Sequence, residues 1–125
     1  MKRIFLLIFL TVFVSITYSQ HRIVGPDRFA KIIEDTTVQR LDLRSESEYH
    51  IFGHIPDFIQ INCMSKRFKE RVKATFDTTK TLAVYCMSGH RSPKAVHVLL
   101  EMGFKTVYEL DGGLLNWLAN RRKLE

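Results

Sequence analysis

Cysteine, proline and tryptophan are scarce in this chain of 125 residues, with two, three and one of each. Neither Cys63 nor Cys86 lies in a paired-cysteine motif and there is no His-Glu zinc motif, so the five histidines supply no ligand set. His50 and His54 are four apart, but Gly53 and Pro56 keep them from sharing a helical face. No metal and no cofactor is expected. A basic stripe interleaved with aromatics is also lacking. The formal charge of +6 is spread along the chain, and the one basic run, Arg121-Arg122-Lys123, suits a helix end. Nucleic acid is therefore not expected as a partner. Repeats and low-complexity segments are absent, and the three prolines fall at element boundaries.

Long apolar runs are missing except at the start, where Lys2 and Arg3 precede Ile4 to Ile16, broken only by Thr11 and Ser15. A basic start, an apolar stretch and small or modest residues at Thr17 and Ser19 read as a signal peptide over 1–19, cleaved after Ser19. The stretch is shorter than the ~20 residues that cross a bilayer comfortably, so no stable membrane span is expected after cleavage. An uncleaved anchor is the alternative. The expected location is exported, periplasmic or secreted, where disulfides persist. Removing 1–19 takes away Lys2 and Arg3 and no acid, lowering the charge from +6 to +4. Residues 20–125 then read as a single domain with one core.

Within that domain short apolar runs alternate with helical patterns. Strands are expected at His21 to Val24, Val38 to Leu43, Ile55 to Ile61, Thr81 to Tyr85 and Thr106 to Leu110. Helices are expected at Pro26 to Ile33, at Ser65 to Thr75 with Phe68 and Val72 inward, and at Lys94 to Met102, closed by Gly103. A last helix follows Asp111-Gly112-Gly113, with Leu114, Leu115, Trp117 and Leu118 on its apolar side. Strands separated by helices imply an α/β fold with a parallel sheet covered on both faces, and ligands bind such sheets beyond the carboxyl ends of the strands.

Cys86 lies at such an end and opens the segment Cys86-Met87-Ser88-Gly89-His90-Arg91-Ser92-Pro93. Ser92 and Pro93 read as a helix start, Ser92 accepting from the first free amides and Pro93 tolerating the first helical position. A helix N-terminus favours an anion, Gly89 permits a close backbone turn, and His90 and Arg91 add cationic neighbours, so Cys86 is expected to be a thiolate in a nest of amides.

The Cys86 to Ser92 loop resembles the active-site loop of rhodanese-type sulfurtransferases, in the form common to small bacterial single-domain members. Upstream, Leu41-Asp42-Leu43-Arg44-Ser45, Glu48-Tyr49 and Gly53-His54-Ile55-Pro56 are similar to that family's first signature. Downstream, Gly103-Phe104, Val107-Tyr108, Leu110-Asp111-Gly112-Gly113 and Trp117 are similar to its closing strand and helix. The resemblance runs from about residue 22 to 120. It implies a three-layer fold with about five parallel strands, and a catalytic Cys86 that carries sulfur as a persulfide. Met87, Ser88, Gly89, His90, Arg91 and Ser92 would form the substrate loop, with Arg91 and His90 attracting a small anionic donor such as thiosulfate. The sulfur would pass to a thiophilic acceptor: cyanide in vitro, a thiol or thioredoxin-like protein in vivo. Asp42, Arg44 and Glu48 are expected to form a supporting buried polar network, and His54 to be structural in its turn. Asp57-Phe58-Ile59 departs from the small Gly-Ala pair common after the proline.

Two other readings share this fold. Cysteine phosphatases and arsenate reductases use a loop one residue longer than the spacing of Cys86 to Arg91, which moves every amide of the cradle. Noncatalytic binding or regulatory modules are the other, and the intact Cys86 argues against them. Cys63 reads as a thiol packed at the end of the third strand, with a redox role as the alternative: resolving the persulfide or shielding Cys86 in a transient disulfide.

Overall fold

The computed structural model describes residues 3–4, 7–12, 18–120 and 122–125. Residues 1–2, 5–6 and 13–17 of the expected leader lie outside the described residues. Among the described residues no helix is long and apolar enough to cross a membrane.

The elements follow in the order β1 (Gln20–Val24), α1 (Pro26–Ile32), β2 (Gln39–Asp42), α2 (Glu46–Phe52), β3 (Ile59–Gln60), α3 (Phe68–Thr75), β4 (Leu82–Tyr85), α4 (Ser92–Glu101), β5 (Thr106–Leu110) and α5 (Gly113–Ala119). All strands are parallel, in the order β1-β5-β4-β2-β3. β4 sits at the centre and every residue of Leu82-Ala83-Val84-Tyr85 is buried, as a strand covered on both faces requires.

Strand alternation divides the core in two. Leu41, Leu43, Leu82, Val84 and Val107 pack with Phe68 and Val72 of α3 and with Val96 and Leu99 of α4. Ala83, Tyr85 and Leu110 point the other way, against Phe29 of α1 and Leu114 and Trp117 of α5. These are the two helical layers of a three-layer α/β fold. Cys86, next in the alternation after Tyr85, returns to the α3–α4 side.

Four local expectations differ from the structure. β3 keeps only two residues, because Pro56 has no amide for a ladder and Asp57 adopts φ 67°, breaking extension before Phe58. α2 is an additional helix whose N-terminus is closed by a capping box: the Ser45 hydroxyl accepts from the Glu48 amide while the Glu48 side chain accepts from the Ser45 amide. Ser45-x-x-Glu48 carried that signal in the sequence. α3 starts at Phe68 rather than Ser65. On α5 only Leu114 and Trp117 are buried among the expected apolar residues, while Leu115 and Leu118, turned to one flank of this short helix, lie exposed.

Candidate active site

Cys86 follows the last residue of β4 and is 1% exposed. Its Sγ accepts the Gly89 amide at 3.1 Å and lies 3.4 Å from the Ser92 hydroxyl. The sharp return of the chain needs Gly89, whose φ is 89°. Burial pushes the Cys86 thiol up, but hydrogen bonds from the Ser92 hydroxyl and from the amides of Ser92, Arg91 and Gly89 outweigh it, so the thiol lies below its ordinary value. Ser92 therefore has a different role from the expected helix cap. Arg91 occupies the cap position of α4, Ser92 is already helical, and its buried hydroxyl is directed at the sulfur instead of the helix amides.

The other side of the loop explains the paired glycines downstream. The Cys86 and Met87 carbonyls accept from the Leu114 and Leu115 amides at 2.9 and 3.0 Å, satisfying the first turn of α5. With those carbonyls turned toward α5, later amides of the loop are free to face the sulfur. Gly113 makes this contact possible: its φ is 59°, and a Cβ there would overlap the Cys86 carbonyl and stand 2.8 Å from the Met87 carbonyl carbon. In the sequence Asp111-Gly112-Gly113 reads as a turn. The available signal was a double glycine just before an apolar helix.

Arg91 does not stand free to receive an anion. Its guanidinium donates to both carboxylate oxygens of Glu48, each at 2.7 Å, with both side chains partly buried. His90 is exposed at the tip of the loop. Among the described residues the attraction for an anion at Cys86 thus comes first from oriented amides and the start of α4 rather than from an uncommitted Arg91. Arg91 holds the Glu48 carboxyl down at about 2, helped by Ser45 and opposed by burial.

That shift has a definite sign. A depressed carboxyl contributes stability above its ordinary value of 4.5 and loses it as pH falls toward 2. Glu48→Gln, which keeps the helix cap but removes the charge, should lower stability at pH 7 by about 1 kcal/mol. In urea titrations the gap between the two proteins should narrow steadily from pH 4.5 to 2. A gap independent of pH would show that the ion pair contributes nothing.

Asp42, Arg44 and Glu48 do not form the single network expected. Asp42 and Arg44 are fully buried and paired, with Arg44 Nη2 donating to Asp42 Oδ2 at 2.7 Å. Tyr85, the register partner of Asp42, donates its hydroxyl to the same oxygen at 2.7 Å and accepts the Ile55 amide at 3.1 Å. Arg44 also donates to the Gly53 carbonyl at 2.9 Å. Burial, with Asp42 beside it, keeps the Tyr85 phenol protonated. The cluster ties the turn after α2 to the end of β4, and it meets Glu48 only through that residue's backbone carbonyl, 3.4 Å from Arg44 Nη1. His54 stacks on Tyr49 with centroids 3.8 Å apart, and its backbone exchanges hydrogen bonds with Glu125 at 2.9 and 2.8 Å. These are packing contacts in a turn.

Cys63 and Cys86 are both free thiols. Cys63 is half-buried and lines a cavity of about 200 Å³ together with Met64, Phe68, Arg91, Lys94, Ala95 and Val98.

The family model for the rhodanese-like domain matches residues 25–120. The chain belongs to the rhodanese-like domain family. Among solved structures it is similar to a rhodanese-related protein from Thermoplasma volcanium, at 27% identity and TM-score 0.72, covering 83% of this chain and 97% of that one. It shares its fold with the rhodanese-like domain of an Anabaena protein, at 24% identity and TM-score 0.74, covering 85% of this chain and 80% of that one. Curated relatives are the tRNA uridine(34) hydroxylases of Pelagibacter ubique, 33% identical over 102 residues, and of Legionella pneumophila, 28% identical over 117. These alignments cover 82% and 83% of this chain but only 34% and 42% of the relatives. The chain thus spans about a third to two fifths of the length of those relatives.

These relatives correct one expectation. The exclusion of nucleic acid does not stand, because proteins carrying a similar domain are named for a tRNA substrate. The charge pattern misleads for a physical reason: it lacks only one continuous basic stripe within a single domain. An RNA contact can be built from separated basic residues or from other parts of a larger assembly.

Proposed function

We propose that this rhodanese-family domain is a sulfurtransferase whose Cys86 carries sulfane sulfur as a persulfide. The observation that carries the reading is the buried Cys86 sulfur, held by the Gly89 amide and facing the Ser92 hydroxyl, with its thiol lowered against the effect of burial. In the first half-reaction the thiolate attacks the outer sulfur of a small anionic donor such as thiosulfate. A sulfur–sulfur bond forms to Cys86, the donor's sulfur–sulfur bond breaks, and sulfite leaves with the electron pair. The amides that held the thiolate then hold the persulfide anion. In the second half-reaction a thiolate acceptor, supplied by a small thiol or a thioredoxin-like protein, takes the outer sulfur and returns Cys86 to the cradle. The basic and apolar leader supports placing this chemistry outside the cytoplasm, where the acceptor also needs a source of reducing equivalents.

Incubation of the purified protein with thiosulfate should add about 32 Da at Cys86, removable by cyanide and absent from Cys86→Ser. An unchanged mass with several sulfane donors rejects the reading. The names of the curated relatives favour a second one, in which the domain takes part in modifying a tRNA uridine. Altered uridine in tRNA incubated with the protein, without sulfur loading of Cys86, would select it.

A further inference from the structure

Cys63 is a nucleophile that the chemistry above leaves unused, and it lies on the same side of the sheet as Cys86, packed against the same apolar cluster. The backbone places the two thiols with some definition. Leu43 donates its amide to the Tyr85 carbonyl at 2.9 Å and accepts the Cys63 amide at 3.0 Å, so the end of β2 runs between the chain at Tyr85-Cys86 and the chain at Cys63. Two strand spacings separate them, about 10 Å. Arg91 links the two environments: its amide is among the groups that lower the Cys86 thiol, and its side chain walls the cavity onto which Cys63 opens.

That separation decides between the roles Cys63 could play. A disulfide needs α-carbons within about 7 Å, so a standing Cys63–Cys86 bond is out of reach without backbone movement. A persulfide adds one sulfur–sulfur length, about 2 Å, and two cysteine side chains joined in line through a third sulfur span about 10 Å. We propose, resting on the persulfide reading of Cys86, that Cys63 is a second sulfur carrier: it takes the outer sulfur from Cys86 and presents it to an acceptor in the cavity lined by Phe68, Lys94 and Val98.

The step balances without an added oxidant or reductant. The proton of the Cys63 thiol passes through solvent to the outer sulfur of the Cys86 persulfide anion; the Cys63 thiolate then attacks that sulfur, a new sulfur–sulfur bond forms at Cys63, and the old one breaks. Cys86 leaves as a thiolate and the proton stays on the transferred sulfur. The amides at Cys86 favour that departure. Burial pushes the Cys63 thiol up, Arg91 draws it down and the charge of Cys86 raises it again. Once the sulfur has moved, the persulfide on Cys63 releases the proton that the thiol held, so the share of sulfur on Cys63 should grow as pH rises. The apolar walls and the Lys94 ammonium suit a small thiol bearing an anionic group.

Tryptic cleavage separates the thiols into peptides 45–66 and 81–91, each of which can be read by mass spectrometry after thiosulfate loading and rapid alkylation. In the wild-type chain both peptides should gain sulfur, 81–91 first, with the share on 45–66 growing with pH. Cys86→Ser should lose the label on 45–66 at least tenfold, and Cys63→Ser should leave only 81–91 labelled. Sulfur confined to 81–91 in the wild type overturns the relay and leaves the persulfide reading intact. Full labelling of 45–66 in Cys86→Ser overturns the relay by showing direct loading. Labelling of neither peptide overturns both.

Discussion

Asp42→Ala should be the most destabilising substitution at the carboxyl end of the sheet, lowering unfolding free energy by about 3–5 kcal/mol. Both Asp42 and Arg44 are fully buried, so removing the carboxylate strands a guanidinium in the interior. Its remaining partners would be neutral: the Gly53 carbonyl at 2.9 Å, the Glu48 carbonyl at 3.4 Å and the Tyr85 hydroxyl at 3.4 Å. Tyr85 would lose its acceptor at 2.7 Å in the same change. The double substitution Asp42→Leu with Arg44→Met should recover much of the loss, because it removes the stranded charge and fills similar volume. Urea unfolding of the two variants checks this. A single-variant loss below about 1 kcal/mol would show that water reaches the site.

Gly113→Ala should act on both stability and sulfur loading. Its Cβ has no room beside the Cys86 and Met87 carbonyls, and its φ of 59° is unfavourable for any residue with a Cβ. Either α5 backs away, breaking the hydrogen bonds from Leu114 and Leu115, or the loop rotates and its amides leave the sulfur. Strain of this kind costs about 1–3 kcal/mol. The thiosulfate loading rate should fall at least tenfold, because the same carbonyls set the direction of the loop amides. Gly25 is the control, since a Cβ there meets nothing within 4 Å. Loading by Gly113→Ala at the wild-type rate would mean that α5 does not set the loop.

Much of the fold was legible because its signals are local. The buried run Leu82 to Tyr85, the glycines at loop ends and the spacing of Phe68 with Val72 each read as one element. The α2 helix buries no residue and so has no apolar face in the sequence pattern; only its capping box is visible there. The sequence pattern around β3 reads longer than the strand because Ile55, Phe58 and Ile61 are all buried, yet Ile55 donates its amide to the Tyr85 hydroxyl instead of a ladder. Apolar content showed that the segment packs inward but not how its backbone is satisfied.

The sequence by itself determined a parallel α/β sheet with helices on both sides, and a cysteine at the carboxyl end of a buried strand ahead of a helix. Strand alternation, helix spacing and turn chemistry are properties of neighbouring residues. Which groups meet across the fold was decided only by tertiary structure. Ser92 faces the sulfur instead of capping its helix, Arg91 is held by Glu48 instead of awaiting an anion, and Gly113 lets α5 close against the back of the loop. Each depends on residues far apart in the chain or on the direction of one side chain, and neither quantity is written in a local pattern. Cys86 was therefore legible in the sequence as the candidate site thiol, while what holds its cradle in shape emerged only when β4, α2, α4 and α5 were brought together.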